Sequence, residues 1–331
     1  MAYTGKATDH LGTTMNFSLP LARYRFLAVA TSALRFPAYS GSTWRGVLGS
    51  ALRKTVCITR EPTCKNCLLQ RSCVYSQVFE TPAVQQPLLE KVNTAPHPYI
   101  LHPLATCGGH YEPGESLELS LTLIGSAIAH LPYLIHALQQ AGVNGLGKGN
   151  GQFELIEVQQ EQPVGSQDWQ TIYRPNQALN AQPGLIPTIP PLPTAPLAIT
   201  FRTPYRRLQD GKLIHANHFT FQGFITGLIR RISLLHSFHT GVHLQADFKA
   251  LSAQASEVLM SEVNLYTYHW ERYSNRQQTK IQMDGLLGSF EIPAGEALAA
   301  FWPWLWLGQW LHAGKGVVMG MGEYRLQSSQ I

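Results

Sequence analysis

One pattern occurs twice in this chain, and it constrains the fold more than any other feature. Residues 131–158 and 301–326 each contain a helix-like apolar segment, then a cluster of glycines, then a short strand-like segment. The two copies are much further apart than the roughly 20–50 residues of a solenoid repeat. The pattern therefore predicts two related domains, and 331 residues are enough for each to bury its own core.

Strands and helices alternate in short order within each half. The predicted strands are Tyr24–Ala33, Leu117–Ile124, Phe153–Val158 and Leu197–Arg202. One helix is predicted after Ser42 as N-cap, a second over Pro132–Gln140 with a stop at Gly142, and a third after Asn217 as N-cap. This order predicts an α+β fold of two tandem ferredoxin-like (RRM-like) domains.

A proline-rich stretch separates the two halves. Residues 161–196 contain eight prolines, which fix backbone angles and remove hydrogen-bond donors. We therefore expect a semi-rigid connector there, with a strand around Trp169–Tyr173. The predicted organisation is an N-terminal domain over 1–160, the connector over 161–196 and a C-terminal domain over 197–331.

The positive charge of the chain is concentrated in two segments. Charged residues are only 14% of the sequence and hydrophobic residues are 44%, so a globular protein is expected. The formal net charge is +5, and the segments 45–71 and 202–231 each carry six cations and one acid. Such basic segments are typical of proteins that bind an anionic partner. The candidate phosphate contacts are Arg45, Arg206, Arg207, Arg230 and Arg231.

Four of the five cysteines form one loop with the spacing C-x6-C-x2-C-x5-C. Cys57, Cys64, Cys67 and Cys73 are close enough in sequence to surround one metal centre. Structural zinc is the leading interpretation, and a [4Fe–4S] cluster is the alternative because the spacing resembles the cluster loop of the endonuclease III family of DNA glycosylases. Four unliganded thiols are the third reading. A centre with four protein ligands is closed, so no catalytic metal is expected.

The two glycine clusters each contain one lysine, Lys148 or Lys315. Glycines let backbone N–H groups approach an anion closely, so these loops are candidates for holding phosphate, with tight turns as the plain alternative. They follow helices and precede strands, which is opposite to a dinucleotide-binding turn. The second cluster supplies the candidate RNA contacts Gly314, Gly316, Gly320 and Gly322.

A third basic segment combines cations with an aromatic residue. Arg272, Arg276 and Lys280 recur every four residues, which predicts one helical face or one loop, and Tyr273 lies beside them. Aromatic rings and cations together suit single-stranded RNA, although a solvated charge run has the same composition. His312 stands between a tryptophan-rich helix and the second glycine cluster, where an imidazole could meet a bound phosphate.

The sequence resembles a known family, the CRISPR-associated endoribonucleases that process precursor crRNA (the sixth Cas family, long form with a four-cysteine loop). The similarity is carried by YSGSTWRG at 39–46, the cysteine loop, TPYRRLQDGK at 203–212, RYSNRQ at 272–277, DGLLG at 284–288 and HAGKGVVMGMGEY at 312–324. It implies membership of the RAMP superfamily, which has tandem ferredoxin-like domains with glycine-rich loops.

The resemblance also implies a reaction. The 2′-hydroxyl upstream of the scissile phosphate would attack without a metal, leaving a 2′,3′-cyclic phosphate and a 5′-hydroxyl. We expect His312 as general acid or base, Lys315 and Arg272 as charge-stabilising groups and Tyr273 as the group that orients the nucleophile. Many family members carry a histidine in or near the first helix, where this sequence has Trp44 and Arg45 instead.

The implied partners are CRISPR repeat RNA or crRNA and other Cas proteins of an effector or adaptation complex. The runner-up function is a crRNA-binding RAMP subunit that does not cleave, and the cysteine loop alone would also suit a DNA-binding cluster protein. No signal peptide is expected at the N-terminus, and the most apolar stretch, Ala297–Leu311, is too short to span a bilayer. Clustered cysteines of this kind favour a reducing cytoplasm and no membrane partner.

Overall fold

The computed structural model describes residues 7–8, 14–15, 17–82, 95–103, 109–146, 151–274 and 279–328. The chain forms two compact units. The N-terminal unit contains Leu19–Pro187 with Phe238–Gly241, and the C-terminal unit contains residues 188–237 and 242–328 with the described residues before Leu19. The division between residues 187 and 188 falls inside the proline-rich stretch 161–196.

The strands and helices have the following bounds. Before residue 188 they are β1 (Ala7–Thr8), β2 (Thr14–Met15), β3 (Leu21–Ala30), β4 (Leu34–Arg35), α1 (Gly41–Val56), β5 (Tyr99–Pro103), β6 (His110–Tyr111), β7 (Ser116–Ile124), α2 (Leu131–Asn144), β8 (Phe153–Glu161) and β9 (Trp169–Tyr173). After residue 188 they are β10 (Leu197–Tyr205), β11 (Leu208–Gln209), β12 (Lys212–Leu213), α3 (Phe221–Thr240), α4 (Phe248–Glu257), β13 (Ser261–Tyr268), β14 (Glu271–Ser274), β15 (Thr279–Gln282), β16 (Gly285–Ile292), α5 (Glu296–Ala299), α6 (Trp302–Leu311) and β17 (Tyr324–Ser328).

The two units have the same topology. The N-terminal unit has the antiparallel order β5-β7-β3-β8-β9, and the C-terminal unit has the antiparallel order β13-β16-β10-β17. When the extra edge strand β9 is set aside, neighbouring strands in each sheet are the second, third, first and fourth strands of a βαββαβ unit. This spatial order is the ferredoxin-like arrangement. The predicted duplication and fold class are confirmed, and the strand around Trp169–Tyr173 is β9.

The central strand of the N-terminal unit shows why these sequences form sheets covered on one face. Along β3, Tyr24, Phe26, Ala28 and Ala30 are buried, and the alternating positions between them are half-buried. Successive side chains of a strand point to opposite faces, so one face of β3 packs in the core.

Three predicted helix boundaries were wrong, each for a local reason. Helix α1 begins at Gly41 after the N-cap Ser40, not after Ser42. Helix α2 continues past Gly142 to Asn144. Gly142 serves close packing and does not stop the helix, because a Cβ there would lie 2.2 Å from the carbonyl oxygen of Phe153. Helix α3 begins at Phe221, and its first turn is capped by Thr220, whose Oγ1 accepts a hydrogen bond from the N–H of Gly223 at 3.1 Å. Asn217 lies instead in a 3₁₀ turn, Ala216–His218.

The apolar stretch 297–311 forms buried helical structure, as predicted, but it is divided into α5 and α6. Pro303 lies in the first turn of α6, where its missing N–H costs nothing. Helix α6 is buried over most of its length, including Trp304, Leu307 and Trp310. Among the described residues, no helix combines the length and the apolarity that crossing a bilayer would require.

Candidate active site

The glycine-rich loop of the C-terminal unit connects α6 to β17. Gly314, Gly316, Gly320 and Gly322 all have positive φ, between 73° and 87°. The loop is closed by backbone hydrogen bonds of 3.0 Å from Ala313 to Gly322 and from Gly322 to Pro204. These bonds hold the loop against the end of β10, while Lys315 remains exposed on it.

Replacing Gly322 by alanine is expected to destabilise this loop by about 2–4 kcal/mol. The φ of Gly322 is +73°, and a Cβ there would lie 1.8 Å from the carbonyl oxygen of Ala313. Gly211→Ala is the matched control, because its φ is +77° with nothing within 4 Å. Urea unfolding of both variants separates the clash from the backbone strain. Equal losses of stability in the two variants would contradict the close approach at Gly322.

His312 lies at the C-terminal end of α6, with its side chain buried. Its Nδ1 is 3.1 Å from the carbonyl oxygen of Met321, on the far side of the glycine-rich loop. The imidazole therefore joins the end of the helix to the end of the loop. This contact suits a positioning role for His312, and both that role and the role in proton transfer stay predictions.

A second histidine in the same unit has the geometry of an oriented acid or base. Nδ1 of His269 is 2.9 Å from Oδ2 of Asp284, and the His269 side chain is 66% exposed. Burial acts to raise the pKa of Asp284, but hydrogen bonds from Gln282 and His269 outweigh it and lower that pKa below its ordinary value. An ionised carboxylate on Nδ1 orients the ring and leaves Nε2 to exchange a proton.

Consecutive hydrogen bonds connect this pair to the glycine-rich loop. Nη1 of Arg206 donates to the carbonyl oxygen of Asp284 at 2.8 Å. The carbonyl oxygen of Arg206 in turn accepts a hydrogen bond from the backbone N–H of Lys315 at 2.8 Å. An oriented imidazole, a guanidinium and a lysine-bearing loop therefore lie together at one end of the C-terminal sheet.

The third basic segment forms a β-hairpin, so the prediction of a helical face was wrong. In the pairing of β14 with β15, Arg272 stands opposite Ile281 and Tyr273 stands opposite Lys280. Because side chains alternate along a strand, Arg272 and Lys280 lie on opposite faces of the hairpin. Lys280 also pairs with Glu271 at 3.1 Å. Arg276 lies outside the described residues.

The other predicted phosphate contacts of this unit lie in different surroundings. Arg230 is exposed on α3. The neighbouring Arg231 donates from Nε to the carbonyl oxygen of Leu311 at 2.9 Å, and burial lowers its pKa to about 10. Arg231 therefore supports the end of α6 from inside. Arg207 lies in a cleft at the start of α3.

The predicted contacts of the N-terminal unit are Arg45 and Lys148. Arg45 is half-buried beside Tyr99, where its charge opposes the increase in the pKa of Tyr99 that burial causes. Lys148 lies outside the described residues. Two further arginines on β3 have carboxylate partners, Arg23 with Glu161 at 2.5 Å and Arg25 with Glu118 at 3.1 Å.

The four cysteines of the loop line one cavity of about 480 Å³. All four are free thiols with partly buried side chains, and Oγ1 of Thr59 lies 3.3 Å from Sγ of Cys67. Arg53 approaches the loop, where its charge opposes the increase in the pKa of Cys64 that burial causes. Four sulfurs around one cavity, with a cation beside them, fit a metal centre.

The four cysteines suit either of two metal centres. Tetrahedral zinc binds four thiolates at Zn–S distances of about 2.3 Å. A [4Fe–4S] cluster binds each of four thiolates on a separate iron.

Two ferredoxin-like units of the same topology, with a glycine-rich loop before the last strand of the second, form the fold that the resemblance to the RAMP superfamily implies. The family model of the CRISPR-associated endoribonuclease Cas6 matches residues 199–324, and the model AF_1859_N, an N-terminal domain, matches residues 19–184. The C-terminal unit is therefore similar to the Cas6 family, over less than half of the chain.

Similar solved structures agree with this fold. A Cas6 of Thermus thermophilus superposes with a TM-score of 0.54 at 12% identity, over 94% of this chain and all of that chain. A Cas6 product complex gives a TM-score of 0.54 at 16% identity, over 93% of this chain and all of that chain. A partial Cas6-RT-Cas1–Cas2 complex gives 0.53 at 14% identity, over 95% of this chain and 47% of that chain. At these identities the likeness establishes the fold alone.

A relative at the sequence level is an uncharacterized protein of Archaeoglobus fulgidus. It is 26% identical over 149 residues, which are 44% of this chain and 47% of the relative. The match thus spans about half the length of that relative.

The His269–Asp284 pair is the part of this site that sequence reasoning missed. His269 begins the third basic segment and Asp284 begins the DGLLG motif, 15 residues apart in sequence. The hairpin between them brings the two together, and this required the segment to be interpreted as two strands. The residues between them, ERYSNRQQTKIQ at 271–282, are almost all polar and therefore show no apolar–polar alternation from which to predict that hairpin.

Proposed function

We propose that this protein is an endoribonuclease that cuts CRISPR repeat RNA in precursor transcripts to give mature crRNA. The observation that carries the proposal is the oriented His269–Asp284 pair, hydrogen-bonded through Arg206 to the lysine-bearing glycine loop, in a chain whose C-terminal unit matches the Cas6 family model. The geometry supports proton transfer and stabilisation of negative charge in one place, and both are needed to cleave a phosphodiester.

The proposed chemistry uses the RNA as its own nucleophile. The 2′-oxygen forms a bond to phosphorus while the bond from phosphorus to the 5′-oxygen breaks. A base takes the 2′ proton, and an acid gives a proton to the departing 5′-oxygen. The products carry a 2′,3′-cyclic phosphate and a 5′-hydroxyl, and no metal takes part.

Each candidate side chain has a proposed part in this reaction. Nε2 of His269 exchanges a proton with the RNA, and Asp284 keeps its ring in the productive orientation. Lys315, Arg206 and Arg272 stabilise the charge on the phosphate, and Tyr273 orients the nucleophile. His312 remains the second candidate for proton transfer, and its contact with Met321 also supports a positioning role.

The proposed partners are repeat RNA and other Cas proteins. The relatives that support this are a Cas6 in a product complex and a Cas6 within a Cas6-RT-Cas1–Cas2 complex. The proposed cofactor is one metal centre held by Cys57, Cys64, Cys67 and Cys73, which is structural zinc, with a [4Fe–4S] cluster as the alternative. Such a centre would stabilise the loop, and four protein ligands leave no open position for catalysis.

A cleavage assay in EDTA tests the function. The protein is expected to cut a repeat RNA at one position, leaving a 2′,3′-cyclic phosphate that blocks ligation of the 3′ end. A matched RNA with a 2′-deoxy nucleotide upstream of the cut, and a matched DNA, are expected to stay intact because they lack the nucleophile. RNA that binds but stays intact would support instead a crRNA-binding subunit without cleavage.

A further inference from the structure

A cleft in the C-terminal unit has a lining suited to a nucleic-acid strand. It has a volume of about 1080 Å³ and lies between the β11–β12 hairpin, the 3₁₀ turn Ala216–His218 and the first turns of α3. Its charged or titratable lining residues are Arg207, Lys212, His215 and His218, with no carboxylate among the residues that line it. Amides and hydroxyls complete the polar lining, from Gln209, Asn217, Thr220, Gln222 and Thr226.

The four charged or titratable side chains of the cleft are available to bind a ligand. In the part of the chain that the structure describes, the side chains of Arg207, Lys212, His215 and His218 make neither a hydrogen bond nor an ion pair. Lys212, His215 and His218 are exposed, and Arg207 is half-buried. By comparison, Lys280 on the neighbouring hairpin has the partner Glu271. These side chains can therefore bind a ligand from outside the unit without first breaking a contact with the protein.

Arg207 is placed closely against the helix by a glycine. A Cβ at Gly223 would lie 2.2 Å from Nη1 of Arg207, so a larger residue there would displace the guanidinium. Gly223 is in the first turn of α3, and both residues line the cleft. A guanidinium held beside a helix start, without a protein acceptor, is well placed to bind a phosphate.

We propose that this cleft binds a short single-stranded RNA segment through two phosphates, one at Arg207 and one at Lys212. The imidazoles of His215 and His218 and the neighbouring amides contact the bases. The inference rests on the proposed function, since it assigns the cleft to the same RNA.

The test measures binding without cleavage. An RNA repeat with a 2′-deoxy nucleotide at the cut site is titrated by fluorescence anisotropy at several salt concentrations. The double variant Arg207→Gln/Lys212→Gln is expected to bind about tenfold more weakly, with the salt slope reduced by about 0.7 for each lost phosphate contact. Lys249→Gln is the matched control, because Lys249 is an exposed lysine on α4 outside the cleft.

A second variant separates the effect of the position of the Arg207 guanidinium from the effect of its charge. Gly223→Ala displaces the guanidinium of Arg207 without removing a charge, and it is expected to weaken RNA binding about threefold, as expected for a displaced phosphate contact. Far-ultraviolet circular dichroism of each variant checks that the fold is retained. His215→Ala/His218→Ala is expected to weaken binding of the RNA while leaving the salt slope unchanged, because those contacts are to bases.

Two results would contradict RNA binding in the cleft and would leave the proposed nuclease function unaffected. One is unchanged RNA affinity of the Arg207→Gln/Lys212→Gln variant in a protein that still cuts repeat RNA in EDTA. The other is displacement of the RNA by AMP as effective as by an unlabelled RNA, which would assign the cleft to a free nucleotide. A wild-type protein that does not cut RNA, but whose RNA affinity falls in the cleft variants as described, would contradict the proposed nuclease function and support RNA binding in the cleft.

Discussion

His269→Ala is expected to lower the rate of repeat-RNA cleavage by about 10²–10⁴-fold, with RNA affinity almost unchanged. The imidazole is 66% exposed and its Nδ1 is held 2.9 Å from Asp284, so the substitution removes an oriented proton-transfer group and little packing. Asp284→Asn is expected to slow the reaction as well, since a neutral amide no longer favours the proton on Nδ1. Single-turnover cleavage at saturating protein measures both effects.

A matched histidine–carboxylate pair serves as the control. His110 lies 2.6 Å from Glu112 in the N-terminal unit, and both side chains are exposed. His110→Ala is expected to cleave at the wild-type rate. Full activity of His269→Ala would contradict a role of the His269–Asp284 pair in the reaction.

His312 is distinguished from His269 by the choice of substitution. His312→Asn places an amide nitrogen near the position of Nδ1 and can keep the hydrogen bond to the carbonyl oxygen of Met321. Activity retained in His312→Asn but lost in His312→Ala would assign His312 to positioning. Activity lost in both, with normal RNA binding, would assign it to proton transfer.

Cys64→Ser is expected to abolish metal binding and to destabilise the protein by at least about 3 kcal/mol, because a structural metal centre contributes directly to folding. The four cysteines line one cavity of about 480 Å³, so removing one ligand opens the centre. Wild-type protein purified without oxygen is expected to be colourless and to contain one zinc. Metal analysis and thermal unfolding measure the two effects.

The fifth cysteine, Cys107, which lies outside the described residues, provides the control. Cys107→Ser is expected to keep the metal and the wild-type unfolding temperature. Iron, inorganic sulfide and absorption near 400 nm in the wild-type protein would assign a [4Fe–4S] cluster in place of zinc, with the same four ligands. A metal-free wild-type protein, with Cys64→Ser as stable as the wild type, would contradict the metal centre altogether.

Much of the fold follows from local sequence. The repeated order of apolar helix, glycine cluster and strand predicts two related units, and both have the same ferredoxin-like topology. Alternation along β3 and the apolar stripe of α3 mark strand and helix because a core selects side chains by their period. Helix ends at Ser40, Asn144 and Thr220 were predicted less well, because several polar or small residues near each end could have formed the cap.

The site was predicted only in part. The glycine-rich loop, Lys315 and Arg206 could be identified because residue type and local order suggest phosphate contacts. Arg231 has the same residue type, but its Nε donates to the carbonyl oxygen of Leu311 in the interior. The third basic segment has a period of four residues that suits a helix, whereas its backbone pairs as a hairpin.

The sequence by itself determined the duplication, the fold class and the resemblance to the Cas6 family, because these depend on patterns along the chain. Only the tertiary structure decided which side chains meet. Asp284 reaches His269 through the pairing of β14 with β15, and Arg207 reaches the start of α3 because Gly223 leaves room for it. Such contacts depend on hairpin register and helix placement, and those are set by packing over the whole unit rather than by neighbouring residues.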